Sequence, residues 1–208
     1  AEYICESKKN ANNRMTDVFV SYAREDIEIR ETFQRELNKK AYTIWTDIRD
    51  ISKGGQFEDA IKEGITQADS FLFLISPNSI KSKYCLSEIE YALSLNKRII
   101  PLLIIDTNID EIPREISSIQ FIEFTEVEFD KGTIFEQAVE QEKDIAKEKQ
   151  TDTLATRGEK TEFEKQFDEL LKVLETEKEY YHKHKLFLAK AVKWEKQKRN
   201  QSILLRGY

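Results

Sequence analysis

The sequence predicts an α/β protein: a five-stranded parallel sheet flanked by helices, followed by a C-terminal α-helical extension. Three observations carry that expectation. From Asp17 to Phe124, short β-branched and aromatic runs alternate with amphipathic stretches, the rhythm of parallel strands joined by right-handed helical crossovers. Two of the runs, SFLFLIS at Ser70–Ser76 and RIIPLLII at Arg98–Ile105, are apolar almost throughout, as strands covered on both faces are. Beyond Phe124 the chain turns long, charged and helical in pattern.

In chain order, Ala1 to Arg14 is polar and aperiodic apart from Tyr3-Ile4-Cys5, so residues 1–15 read as a poorly ordered N-terminal segment, with Met15 an internal start or the point where order begins. Asp17–Tyr22 (DVFVSY) is a buried strand by composition. Ile29, Phe33 and Leu37 recur every four residues, so Asp26–Lys39 is a helix, acidic in its first turn and basic in its last, as the helix dipole favours. Tyr42–Thr46 is a second strand, Asp47–Gly55 a polar loop closed by two glycines, and Phe57–Ala68 a helix with Ala60, Ile61 and Ile65 inward. Ser70–Ser76 is the central strand, stopped by Pro77. Pro101 cannot donate to a ladder, which places Arg98–Ile105 nearer an edge or at a bulge, and Ile119–Phe124 is a weaker fifth strand.

The α/β domain thus spans residues 16–125, and residues 126–160 form an acidic helical insertion or linker. Within it, Glu126–Asp130 is a connector, Ile134–Gln150 a weak polar helix and Thr151–Lys160 a mobile break containing Gly158. Residues 161–208 read as a helical hairpin extension leading toward a further module. Thr161 with Glu164 and Thr176 with Glu179 have the spacing of capping boxes, predicting helices at Glu162–Leu174 and Glu177–Arg199. Phe163, Phe167, Leu170, Leu171 and Leu174 line the first, and Tyr181, Leu188, Ala191 and Val192 the second. The plainer reading of these stripes is packing on each other and on the sheet domain, rather than a partner interface.

Composition narrows the function. The chain has 208 residues, 39% of them hydrophobic and 35% charged, with a net charge of -6. That balance gives no support for a phosphate-backbone binder, so no nucleic-acid partner is expected. Cys5 and Cys85 lie far apart without metal-ligand spacing, which fits a reducing cytoplasmic compartment and no metal. The longest apolar runs are too short to span a bilayer, so no membrane association is expected. There is no GxGxxG after the first strand and no GxxxxGK[ST], so neither phosphate cradle is encoded. His182 and His184 lie in the remote tail, and Cys85 sits on an apolar face, against a Cys-His nucleophile.

The remaining chemistry converges on Ser82–Leu95. Read as a helix, this stretch lines up Cys85, Leu86, Ile89, Ala92 and Leu93 along one apolar face. At about 100° per residue Glu90 points away from that arc, whereas Glu88 falls at its edge. A carboxylate at a core boundary can be partly desolvated and still reach a ligand; the plainer reading is a solvated helix charge. Ligands of such sheets bind outside the carboxyl ends of the strands. There the rim carries Arg24, Trp45, Asp47, Lys53, Ser76 and Glu88, a set suited to a ligand with a ring, a sugar and phosphate.

DVFVSYARED, IWTDIRDI, GGQFEDAIKEGITQADSFLFLIS and CLSEIEYAL, in this order and spacing, resemble the TIR (Toll/interleukin-1 receptor) domain family over about Thr16 to Phe124. The resemblance implies the flavodoxin-like TIR fold and two kinds of function. Some members are non-catalytic adaptors or receptor tails that assemble through homotypic TIR–TIR contacts, centred on a mobile loop that here is Asp47–Gly55, with Ile48, Arg49, Asp50, Ile51, Lys53, Gly54 and Gly55. Others cleave NAD+ at the nicotinamide–ribose bond in defence or cell-death signalling, among them antiviral and innate-immune systems. For these, the resemblance places the catalytic glutamate on Glu88, the nicotinamide-facing aromatic on Trp45, and the second residue of a basic pair on Arg24, with Ala23 at the first position. Tyr22, Asp47 and Ser76 complete the implied substrate contacts. NAD+ is then the substrate and no cofactor is required; the expected partners are other TIR domains, in a homo-oligomer whose neighbouring subunit completes the cleft. Water attack would yield ADP-ribose, and attack by an adenine nitrogen a cyclic isomer. The tail HKHKLFLAKAVKWEKQKRNQSILLRG also resembles the helical segment that follows TIR domains in large bacterial proteins.

Overall fold

The structure, a computed structural model, describes residues 16–46, 56–127, 129 and 160–197. Five parallel strands, β1 (Thr16–Ser21), β2 (Ile44–Thr46), β3 (Ala68–Ile75), β4 (Arg98–Leu103) and β5 (Ile122–Glu123), stand in the order β2-β1-β3-β4-β5. Between them run α1 (Ile27–Lys39), α2 (Gln56–Gln67), α3 (Lys83–Ser94) and the single turn α4 (Arg114–Ser117), and the extension forms α5 (Glu162–Glu175) and α6 (Lys178–Lys196).

Every residue of β3 is buried, and its side chains alternate between two cores, as the period of two requires. Phe71, Phe73 and Ile75 join Phe19, Ile61, Ile65, Cys85 and Ile89 under α2 and α3. Leu72 and Leu74 join Val18, Val20, Phe33 and Leu37 on the other face, where Phe167, Leu170 and Leu174 of α5 also pack. The extension therefore completes the second core, which is the packing its apolar stripe called for.

Several expectations need correction. Ala60 is exposed although Ile61 and Ile65 are buried, Leu93 is 37% exposed, and Ala191 faces solvent. The strand with Pro101 does lie near the sheet edge, one place inside it, and without a bulge, Pro101 pairing in register with Phe73. Leu103 accepts from Phe124 of the β5 side and Ile104 donates to Ile75 of β3, so Pro101, two residues before Leu103, turns its missing donor toward β5 before that short strand begins to pair. The Thr161–Glu164 capping box forms with both of its hydrogen bonds. Its expected counterpart at Thr176 does not: the Thr176 hydroxyl donates back to the Lys172 carbonyl at 2.8 Å, closing α5, and α6 begins after Glu177 at φ 53 without a side-chain cap. The loop Asp47–Gly55 and the segments expected at Ile134–Gln150 and Thr151–Glu159 lie outside the described residues.

Charge as well as apolar area holds the extension. Arg98 donates to the Thr176 carbonyl at 2.8 Å and to the Val173 carbonyl, and its guanidinium lies 4.6 Å from the centre of the Tyr181 ring. At the amino end of β3, Lys185 of α6 reaches Asp69 at 2.9 Å, and His182 lies 3.5 Å from the same carboxylate. The neighbouring Lys97 donates to the carbonyls of Thr66 and Ala68, each at 2.7 Å. Burial pushes the Lys97 amine down from 10.5 to about 8; Asp69 opposes that shift and Lys185 adds to it. Since the lowered value penalises the charged form in the folded state, folding expels a proton, and stability should increase as pH rises from about 8 toward 10.5. We expect a gain on the order of 3 kcal/mol in denaturant titrations across that window, and a flattened slope in Lys97→Met.

Candidate active site

Helix α3 is set by its amino end, where the Ser82 hydroxyl accepts from the Cys85 amide at 3.4 Å, and by Cys85, Ile89 and Ala92 buried against the sheet. Glu88 shares that face by helical spacing. It is carried over the carboxyl end of β1, where the Ser21 hydroxyl donates to Glu88 Oε2 at 2.6 Å. Both are buried, Ser21 at 0% exposure and Glu88 at 4%. The solvated-charge reading of Glu88 is therefore wrong: the carboxylate is inside, and Glu90 two residues on is the exposed one.

Glu88 lines a cavity of about 100 Å³ between α2 and α3, with Ile61, Lys62, Ile65, Tyr84 and Tyr91 among its walls. Tyr84, one helical turn before Glu88 and 63% exposed, also lines a second, wider groove of about 630 Å³ with Arg24, Asn78, Lys81 and Lys83. Of the residues expected at the site, the structure therefore brings Glu88 to the cavity and Arg24 to the groove beside it.

Trp45, Tyr22 and Ser76 lie elsewhere. Trp45 is half-buried and belongs to an aromatic ladder: its ring stacks on Phe19 at 4.8 Å between centroids and 13° between planes, and Phe19 stacks on Phe71 at 5.3 Å. The register pairing Phe19 with both Trp45 and Phe71 puts all three rings on one side of adjacent strands. Helix α2 then lies against the indole, where a Cβ added at Gly64 would stand 2.5 Å from Cε2 and 2.6 Å from Cδ2. Trp45 does not line the cavity. Glycine in mid-helix is normally a cost relative to alanine, yet here we expect Gly64→Ala to destabilise by about 1–2 kcal/mol through the clash, read as a lowered denaturation midpoint.

Tyr22 is 5% exposed in the core, under the Arg30 guanidinium at 5.1 Å, so it is a packing residue in this structure. Ser76 is wholly buried rather than displayed on the rim. Its hydroxyl donates to Asp26 at 2.5 Å and accepts from the amides of Asn78 and Ser79 at 3.2 and 3.0 Å. Desolvation pushes the Asp26 carboxyl up, against the hydrogen bonds from Ser76 and Asn78, and Glu25 adds to the rise. Asp47, Ile48, Arg49, Asp50, Ile51, Lys53, Gly54 and Gly55 lie outside the described residues. Among the described residues no group of three or more His, Cys, Asp or Glu could hold a metal ion, and no helix is long and apolar enough to cross a membrane.

Sequence reasoning missed Ser21, Tyr84, Lys81 and Lys83. Tyr84 was within reach of the helical spacing, since four residues before Glu88 is one turn along the same face.

Sheet order and parallel crossovers define a doubly wound α/β domain, with a sheltered carboxylate at the carboxyl end of β1. The chain belongs to the TIR domain family: the family model matches residues 18–141, more than half of its length. Among solved structures it is similar to the TIR domain of the Toll-related receptor TRR-2 from Hydra magnipapillata, at 24% identity over 53% of this chain and 86% of that one, with a TM-score of 0.47. It is also similar to a metazoan TIR-STING receptor from C. gigas (21% identity, 50% of this chain, TM-score 0.43), of which it spans only 36%. A third likeness is to the TIR domains of the activated Roq1 resistosome, a structure recognising the pathogen effector XopQ (23% identity, 42% of this chain and 56% of that one, TM-score 0.36). No curated protein matches the chain. The family assignment rests on the family model.

Proposed function

We propose that this TIR domain is an NAD+ glycohydrolase acting in a defence or cell-death signalling pathway of the cytoplasm, switched on by self-assembly. The observation that carries the reading is Glu88, buried to 4%, bonded by Ser21 at the carboxyl end of β1 and lining a cavity between α2 and α3. A sheltered carboxylate beside a ribose stabilises the positive charge that grows on the sugar as the glycosidic bond breaks. In the reaction the C1′–N bond breaks with its electron pair going to nicotinamide, and water adds its oxygen to C1′ and releases a proton. Attack by an adenine nitrogen instead of water would close a cyclic product. Tyr84 replaces Trp45 as the aromatic wall for the nicotinamide ring, since it is the exposed ring that lines the Glu88 cavity.

The cavity's size supports the role of assembly. About 100 Å³ is well below the roughly 300–1,000 Å³ of ordinary ligand sites, so a second TIR domain is the proposed source of the missing wall. The same observation favours the alternative reading, a non-catalytic adaptor that acts by homotypic TIR–TIR contact. The two separate in one measurement: nicotinamide released from NAD+ by the full chain, followed with rising protein concentration and a crowding agent. Release that climbs with concentration supports the enzyme, and none at any concentration leaves the adaptor.

A further inference from the structure

We propose that the outer face of α6 is an interaction surface for a second copy of this chain, which receives it on the acidic turn that follows β4. Among the described residues four large apolar side chains are more than half exposed: Tyr84 at the site, Ile109, and Tyr180 and Phe187 on α6. Lys185 turns inward to Asp69 at 2.9 Å. At about 100° per residue Phe187 points the opposite way, with Tyr180 two turns before it on the same face. Lys183 and Lys190, four residues before Phe187 and three after, are exposed and flank that ring. Residues 180–193 carry four lysines and no carboxylate, in a chain of net charge -6. An exposed aromatic bracketed by cations calls for a partner surface that is apolar and acidic at once.

The chain itself supplies one. Ile109, 61% exposed, opens the short turn Ile109–Glu111, and Ile105 before it is also exposed. Asp106 and Asp110 beside them are exposed, and residues 106–115 carry four carboxylates against one cation, Arg114. The Asn108 side chain holds the turn by accepting from the Asp110 amide at 3.2 Å. Two copies of α6 do not suit each other, because Lys183 and Lys190 would meet like charges. The contact therefore joins unlike surfaces: α6 meets the amino end of β3 at Asp69, and the turn follows the carboxyl end of β4. Lys81, 3.8 Å from Glu111 of the turn, also lines the groove beside Tyr84, so a docked α6 stands next to the site. Two rings and two isoleucines make a small patch, and the association is accordingly weak and concentration-dependent. It rests on these two surfaces and not on the glycohydrolase reading.

The test is sedimentation of the full chain over a range of concentrations, at low and at high salt. The parent's weight-average mass should rise with concentration and fall back as salt screens the charges. Lys183→Glu/Lys190→Glu and Asp106→Lys/Asp110→Lys, all at exposed positions, should each need about tenfold or more protein to associate to the same extent. An equimolar mixture of the two variants restores opposite charges across the contact and should regain the parent's association, which a folding defect cannot produce. Association equal to the parent's in either variant, a mixture that stays apart, or a parent that is monomeric at every concentration overturns the proposal. So does lysine-dependent binding of the parent to mixed phosphatidylcholine–phosphatidylserine vesicles without self-association, which would assign this face of α6 to a membrane surface. Loss in both variants with recovery in the mixture supports the contact whether or not nicotinamide is released from NAD+.

Discussion

Glu88→Gln is expected to cut nicotinamide release by about 10²–10⁴-fold, with Glu90→Gln staying close to the parent. The two carboxylates are two residues apart on one helix, so they differ in environment alone: Glu88 is 4% exposed and Glu90 is on the surface. Glutamine keeps the volume of Glu88 and can still accept the Ser21 hydroxyl, which makes a folding defect a poor explanation of lost turnover. What it removes is the negative charge, and in a sheltered site a charge opposite a growing cation is worth far more than in water. The measurement is kcat by chromatography of released nicotinamide, with thermal melts alongside. Equal losses in both variants would move the catalytic acid elsewhere in the chain.

Ser21→Ala should lower kcat by about 10²-fold with little change in KM, because Ser21 is a positioning residue with no surface of its own. Its hydroxyl holds Glu88 Oε2 at 2.6 Å from a strand end that the sheet keeps rigid. Without it the carboxylate loses one of the contacts that orient it. Ser21→Thr keeps the donor and should restore most of the rate, whereas a purely structural role predicts that Thr, which adds a methyl to a packed site, is no better than Ala. A rate in Ser21→Ala equal to the parent's would show that Glu88 is oriented without it.

The strands and helices were legible because two periods, 2 and 3.6, are written plainly into β3 and α3. Glu88 could be found for the same reason. Trp45 was misplaced because position at a strand end says nothing about register: only the pairing of Phe19 with both Trp45 and Phe71 shows that the indole completes a ladder. Ser76 reads as a rim residue from its place after an apolar run, but the chain folds back over it through Ser79–Lys81. Thr176 carries a capping spacing that a competing bond to Lys172 uses up. The buried Lys97 and Lys185 were out of reach for a third reason. A lysine in a charged stretch reads as solvated, and only tertiary packing onto the Thr66 and Ala68 carbonyls and Asp69 makes interior ones.

The attachment of the extension to β3 has a mechanical meaning. Asp69 anchors Lys185 at one tip of that strand, and Ser76, just past the other tip, steadies the turns beside the rim. Between them lie six residues with no exposed side chain, a spacer of roughly 23 Å that is packed on both faces. A load on α6 would reach the rim as displacement of a stiff rod, so it can tilt the turns beside Ser76 without having to touch them.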